Sequence, residues 1–282
     1  MRGQPLRAAV VGHPISHSQS PSIHGHWLEQ SGIAGRYGML DFEPEHFERD
    51  IRGLVEQGYQ GVNVTVPFKE AALALADDAD ASARQIGAAN TLVFSNGRIS
   101  ARNTDAYGFW ENLRPSLSDG VPNRAVVLGA GGAARAVLVA LQDQGVGRIC
   151  LANRTLSRAQ DLAQELAHGA QIEALDWDAA EDLLDEETMP LIINTSSRGM
   201  KGENAITCPL AAQGLGTVVN DIVYNPLQTA LLETAAGRGC RTVDGLGMLL
   251  HQARPAFQAF FGARVEVDSG LRQTVERNMG LV

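Results

Sequence analysis

The stretch "RAVVLGAGGAARAVLVAL", residues 124–141, decides the reading of the fold. It runs from an apolar strand through a glycine turn into a helix. Gly129, Gly131 and Ala134 occupy the three key places of G-x-G-x-x-G/A. The first glycine permits the tight turn, the second lets backbone approach a pyrophosphate, and the small third residue lets helix and strand pack closely. The helix start then offers free N–H groups and a partial positive charge to an anion. Such a hit is weak alone, but here strand and helix flank it and a second strand follows. That context predicts a nucleotide site at this turn.

The next strand, "RICLANRT" (148–155), lacks the acid that dinucleotide-binding folds place at its end to hold a ribose 2′-hydroxyl. Asn153, Arg154, Thr155 and Arg158 stand there instead. Guanidinium groups bind phosphate through charge-assisted hydrogen bonds, so the segment predicts a 2′-phosphate pocket and hence NADP. Two arginines could also be a solvated surface. They would oppose the dipole of the following helix, which leaves a helix-stabilising role without support. That helix, "LSRAQDLAQELA" (156–167), shows Ala159, Leu162, Ala163 and Leu166 at i, i+3, i+4 and i+7.

Outward from this core, "PLIINTSS", "GTVVNDIVY" and "GCRTVDG" read as further strands, and "QTALLETAAGRG" as a helix between the last two. Alternating strands and helices predict a doubly wound, mainly parallel sheet of Rossmann type over 105–245. Residues 1–104 read as a separate α/β domain. "LRAAVV" is its first strand, Ser20 an N-cap before Pro21, "YQGVNVTVPF" a second strand stopped by Pro67, and "AANTLVFSNGRISARN" a hairpin turning at Asn96-Gly97. In the terminal segment "GLGMLLHQARPAFQAFFG", Pro255 is expected to kink or split a helix.

The 282 residues suit one large domain or two ordinary ones, with 44% hydrophobic and 20% charged residues. A net charge of −9 argues against nucleic acid or an anionic membrane as partner. Three scattered cysteines, Cys150, Cys208 and Cys240, cannot form a complete disulfide set and fit the cytoplasm. No signal peptide or membrane span is legible. The histidines of "GHPISHSQSPSIH" have no nearby acid or cysteine, so no metal is expected. No G-x-S-x-G elbow suggests a hydrolase.

Two further residues carry chemistry. Lys69 follows the strand of "GVNVTVPFKE", and Asp105 opens the junction "NTDAYG". Singly, each reads as a surface lysine and a helix cap. Together they supply what a carbonyl/alcohol redox step needs besides hydride, an acid/base held by a carboxylate. Ser16, Ser18 and Ser20 could be turn residues or could hold a polyhydroxylated or carboxylated ligand.

"GHPISHSQSP", "NVTVPFKE", "GAANTL", "NTDAYG", "GAGGAARA", "NRTLSRA", "DIVYNP" and "DGLGMLLHQA" occur in this order over nearly the whole chain. Together they resemble shikimate dehydrogenases of the NADP-specific type. The resemblance implies two α/β domains with a cleft between them, the first completed by 246–282. It implies reversible reduction of 3-dehydroshikimate with NADPH in chorismate and aromatic amino-acid biosynthesis. It implies Lys69 as acid/base and Asp105 as the residue that holds it and binds a substrate hydroxyl. Ser18 and Ser20 would bind the substrate carboxylate, and Thr65, Asn90, Tyr224 and Gln252 match further substrate positions. Gly129 to Ala133, Asn153 to Arg158, Ile222 and Gly245 match cofactor positions. The expected partners are a small-molecule substrate and, as one candidate assembly, a second copy in a homodimer.

The chain departs from the family pattern at Gly25, where Asn is frequent, at Arg102, where Gly is usual, and at Thr195 and Arg198 in "INTSSRGM". Arg198 is expected near the cofactor, where it could alter cofactor grip. Two alternatives stand beside the main reading. One is an NAD-using quinate/shikimate dehydrogenase, against which "NRTLSR" argues. The other is a non-catalytic NADP-binding regulator on the same fold, against which the retention of Lys69 and Asp105 argues.

Overall fold

The computed structural model describes residues 5–167 and 169–281. The chain divides into two compact units, Met1–Thr104 with Leu250–Val282, and Asp105–Leu249.

The first unit contains β1 (Leu6–Gly12), α1 (Ser20–Ser31), β2 (Gly35–Asp41), α2 (Phe47–Glu56), β3 (Gly61–Val64), α3 (Lys69–Leu75), β4 (Asp78–Ala79), α4 (Ala81–Ile86), β5 (Thr91–Ser95) and β6 (Arg98–Arg102). Its sheet has the order β2-β1-β3-β5-β6-β4. β1 runs parallel to β2 and β3, and β5 antiparallel to β3 and β6. Ala9, Val11, Val62, Val64 and Leu92 meet Ile51, Leu54 and Phe68 in one apolar core.

The second unit contains α5 (Asp105–Leu113), β7 (Arg124–Leu128), α6 (Gly132–Asp143), β8 (Arg148–Ala152), α7 (Leu156–Leu166), β9 (Gln171–Leu175), α8 (Trp177–Glu186), β10 (Leu191–Asn194), β11 (Val218–Asp221), α9 (Ala230–Gly237) and β12 (Arg241–Val243). All neighbours in its sheet are parallel, in the order β12-β11-β10-β7-β8-β9. Read from β9, this is the doubly wound 3-2-1-4-5-6 arrangement, whose direction of winding reverses between β7 and β10. The four apolar residues expected on one face of α7 are all buried.

The chain closes with α10 (Leu246–Phe261) and α11 (Ser269–Asn278). The division between units falls inside α10, past the 245/246 boundary expected from sequence. Beyond Leu250 the segment is built into the first unit. Phe257 packs edge-on to Trp27, Trp27 Nε1 donates to the Glu266 carbonyl at 3.0 Å, and Asn278 Nδ2 donates to Ser22 Oγ at 2.8 Å. Among the described residues, no helix is long and apolar enough to cross a membrane.

Three local expectations change. Of the kink or split expected at Pro255, the split does not occur: α10 is continuous through it, with Phe257, Phe260 and Phe261 buried beyond the proline. Ser20 lies inside α1, not at its N-cap; Gln19 holds that place without a side-chain cap, and Ser18 Oγ accepts the Ser20 N–H at 3.3 Å. "YQGVNVTVPF" holds the third strand, which already ends at Val64, because β2 lies unrecognised before it. The hairpin forms as expected, with Asn96 and Gly97 both at positive φ (51° and 74°).

Candidate functional site

The first unit's topology gathers most of its candidate residues at one end of its sheet. The C-terminal ends of β1, β3 and β6 and the start of antiparallel β5 all lie there. From β1 comes the loop with Ser18, from β3 the turn with Thr65 and Lys69, and just before β5 stands Asn90. Lys69 is half-buried as the first residue of α3, and its carbonyl accepts the Ala89 N–H at 2.8 Å. Thr65 donates its N–H to the Val11 carbonyl at 2.9 Å. Ser20 is buried on α1, and Ser18 is half-buried.

Asn90 is buried, and its carboxamide is held by several groups. Its Oδ1 accepts from the Thr104 N–H at 3.0 Å and from Thr91 Oγ1 at 3.0 Å. Its Nδ2 donates to Thr104 Oγ1 at 2.9 Å and to Gln252 Oε1 at 3.4 Å. Asn90 and Gln252 therefore meet, although 162 positions separate them. Gly25 is exposed with no atom within 4 Å of a Cβ built on it, so that departure disturbs nothing. Arg102 is exposed, and it serves the site through its backbone, whose carbonyl accepts the Asn90 N–H at 3.0 Å.

In the second unit, Gly129 follows β7 with φ at +109°, and a Cβ there would stand 2.9 Å from Ser196 N and from Thr195 Oγ1. Only glycine satisfies both the backbone and the space. Gly131 is the N-cap of α6 and provides no side-chain cap, and a Cβ on Gly131 or Gly132 would meet nothing within 4 Å. The turn therefore leaves helix-start N–H groups and clear space where a pyrophosphate would lie. Asn153 ties this turn to the basic loop. Its Oδ1 accepts from Ala130 N at 3.3 Å and its Nδ2 donates to the Thr155 carbonyl at 2.9 Å.

Arg154, Thr155 and Arg158 are exposed. Elsewhere in this unit Arg114, Arg124, Arg135 and Arg241 each pair with a carboxylate, on Glu111, Glu187, Glu165 and Asp119. Among the described residues, no protein group pairs with the guanidinium of Arg154 or Arg158. The arrangement fits an anionic cofactor: backbone donors at the glycine turn and two free cations beyond β8.

Ile222 and Gly245 are brought together, since a Cβ on Gly245 would run into the Ile222 carbonyl and lie 2.8 Å from that of Val223. Tyr224, two residues on, is half-buried, and burial raises its phenol pKa. Asp105 is half-buried as the first residue of α5. Thr195 proves to be a fastener: its Oγ1 lies 3.0 Å from the Leu128 carbonyl and 3.1 Å from that of Gly129, across the reversal point of the sheet. Arg198 stacks over the Trp177 ring, 4.6 Å from its centroid.

Sequence reasoning missed three polar clusters. Thr104 and Thr91 flank Asn90 as described. Asn63 sits inside the apolar strand β3, where a polar residue between valines was the available signal. Asp221, at the end of β11, is buried and accepts from Asn194 Nδ2 at 2.8 Å, Thr229 Oγ1 at 2.7 Å and Val223 N at 3.0 Å. Burial raises its pKa against the opposing pull of those donors.

The shikimate dehydrogenase substrate-binding domain matches residues 10–92, and the shikimate/quinate 5-dehydrogenase family matches 114–206. The NADP(+) shikimate dehydrogenase of Paramagnetospirillum magneticum is 51% identical over 98% of this chain and 99% of its own. The chain belongs to the shikimate dehydrogenase family. Among solved structures, shikimate 5-dehydrogenase of Thermus thermophilus, bound to NADP(H) and shikimate, is 36% identical with a TM-score of 0.83, covering 96% of this chain and 99% of that one. Quinate dehydrogenase of Corynebacterium glutamicum, bound to NAD, is 28% identical with a TM-score of 0.88, covering 99% and 100%. Family membership thus fixes the architecture, while the choice of cofactor and polyol depends on individual side chains.

Proposed function

We propose that this chain catalyses the reversible, NADPH-dependent reduction of 3-dehydroshikimate to shikimate in chorismate and aromatic amino-acid biosynthesis. The observation that carries the cofactor choice is the pair of guanidinium groups, Arg154 and Arg158, that have no partner among the described residues, where NAD-binding folds place an acid. The half-identical Paramagnetospirillum relative supports the same choice and the substrate.

When bound, NADPH supplies the hydride. Backbone N–H groups at Gly129 to Ala133 hold its pyrophosphate, Arg154, Thr155 and Arg158 its 2′-phosphate, and Asn153, Ile222 and Gly245 shape the adjoining surface. Lys69 Nζ gives a proton to the carbonyl oxygen as the carbon is reduced, and takes it back in the reverse direction. Asp105 accepts from a substrate hydroxyl, and its pairing with Lys69 is part of this proposal. Ser18 and Ser20 donate to the substrate carboxylate, while Thr65, Asn90, Tyr224 and Gln252 bind the remaining polar groups.

The test is a steady-state matrix of shikimate and quinate against NADP and NAD. Shikimate with NADP should give the highest kcat/KM. A preference for quinate with NAD would favour the alternative, and NADPH binding without any turnover would make the chain a regulator. Lys69→Ala should lower kcat by about 10³-fold with cofactor affinity kept, and near-normal turnover would remove its assigned role. A cytoplasmic location is supported by the three free thiols. The proposed homodimer is tested by sedimentation velocity, where a single species at the mass of one 30.1 kDa chain would remove it.

A further inference from the structure

A one-way chain of hydrogen bonds in the first unit ends on Asn90. Tyr37, on β2, donates its hydroxyl to Asn63 Oδ1 at 2.7 Å. Asn63, on β3, donates Nδ2 to the Asn90 carbonyl at 3.3 Å and to Thr91 Oγ1 at 3.0 Å. The Thr91 hydroxyl then donates to Asn90 Oδ1 at 3.0 Å.

Backbone groups fix the direction of this chain. The Asn63 amide nitrogen faces a carbonyl, which can only accept. The Asn90 side-chain oxygen faces the Thr104 N–H, which can only donate. Flipping either carboxamide would set donor against donor or acceptor against acceptor in a buried place, where an unmade hydrogen bond costs most. The Asn90 N–H groups are thereby left on the side of Thr104 Oγ1 and Gln252.

The Tyr37 ring is itself held. His24, wholly buried on α1, stacks on it with centroids 3.9 Å apart and planes 5° from parallel. His24 lies one helical turn after Ser20, so the stack ties the helix bearing Ser20 to the strand bearing Tyr37. Burial holds the His24 imidazole neutral against the opposing pull of the Asn63 side chain, so it acts here mainly as a flat surface.

We infer that Tyr37 is a positioning residue for substrate: through Asn63 and Thr91 it fixes the Asn90 carboxamide with its N–H groups toward the Thr104–Gln252 cluster that substrate hydroxyls enter. This rests on the reading of Asn90 as a substrate-binding residue. Tyr37 acts by steadying these groups: the backbone sets the polarity, the chain from Tyr37 holds it in place, and the same hydroxyl also meets Ser20.

The test uses the full-length enzyme with Tyr37→Phe, which keeps the ring on His24 and removes only the donor. The KM for shikimate should rise about tenfold, with kcat and the KM for NADP within about twofold of the parent. A merely structural role would lower the active fraction and the melting temperature while leaving both KM values unchanged, and that result would overturn the inference. Thr91→Val, nearly isosteric, breaks the chain one link later and keeps the test decisive if Tyr37→Phe fails to fold. It should show the same split between KM and kcat, and an unchanged shikimate KM would again overturn the inference. A readout independent of substrate is the Asn90 side-chain amide in ¹⁵N NMR, whose proton shifts should move in both variants. If those shifts move but the parent enzyme does not turn over shikimate, the substrate reading fails; if they stay, the positioning inference fails.

Discussion

In the first unit the Asn90 carboxamide is already engaged by Thr91, Thr104 and Gln252, and the side chains behind it are fixed in turn by Asn63 and Tyr37. In the second, Arg154 and Arg158 project with no carboxylate partner among the described residues, and the glycine turn offers backbone N–H groups with open space before them. One unit completes its polar surface with its own side chains; the other leaves charge for a ligand to satisfy. The difference follows the chemistry each must recognise. A small polyol is selected by hydrogen-bond direction, which demands a rigid template. A dinucleotide phosphate is gripped by charge and backbone, which tolerate exposed cations.

The largest break in this comparison is expected from Gly129→Ala. Its positive φ and the 2.9 Å approach to Thr195 and Ser196 leave no place for a Cβ. Strain and overpacking should cost about 3 kcal/mol, read by chemical denaturation, together with loss of measurable NADPH binding. A variant of parental stability and affinity would show that the turn yields easily. Next in size, Arg154→Leu with Arg158→Leu should raise the KM for NADP about 30-fold and leave that for NAD nearly unchanged. Equal losses for both cofactors would mean that the two cations do not read the 2′-phosphate.

The other unit gives a pH-dependent contrast. Burial pushes His24 down to about 3 from its ordinary value of 6.5. Between those values the unfolded chain binds a proton that the folded chain does not. Stability is therefore complete above 6.5 and falls as pH drops through that window. His24→Phe, which keeps a ring on Tyr37, should make the decline shallower by about 1 kcal/mol per pH unit, measured by denaturation from about pH 6.5 downward. An unchanged slope would place the proton uptake elsewhere. The smallest effect is expected from Thr195→Val. Losing the hydroxyl that spans β7 and β10 should cost about 1 kcal/mol and loosen cofactor binding slightly, and a more stable variant would deny Thr195 its fastening role.

Legibility in the sequence followed burial. Every strand flanking the glycine turn in "RAVVLGAGG" and "PLIINTSS" is buried on both faces and so appears as an apolar run. The three strands that escaped recognition, β2, β4 and β9, are edge strands; β4 has only two residues, and "GRYGMLD" and "QIEAL" mix exposed residues with half-buried ones. The candidate site residues divided in the same way. Lys69, Asp105, Asn90 and the glycine turn stood in short recognisable motifs. Tyr37 and Asp221 lay in segments whose composition is ordinary, and their roles exist only through partners distant in the chain.

By itself, then, the sequence determined which residues can turn a chain sharply, which faces must be buried, and that cations replace an acid after β8. Those properties belong to single residues and near neighbours. Only the tertiary structure decided that α10 runs unbroken through Pro255, that Thr195 spans the sheet reversal, and that Tyr37 reaches Asn90 through two intermediaries. Each is a competition between groups far apart in sequence, and its outcome is set by packing and by the direction of hydrogen bonds in space.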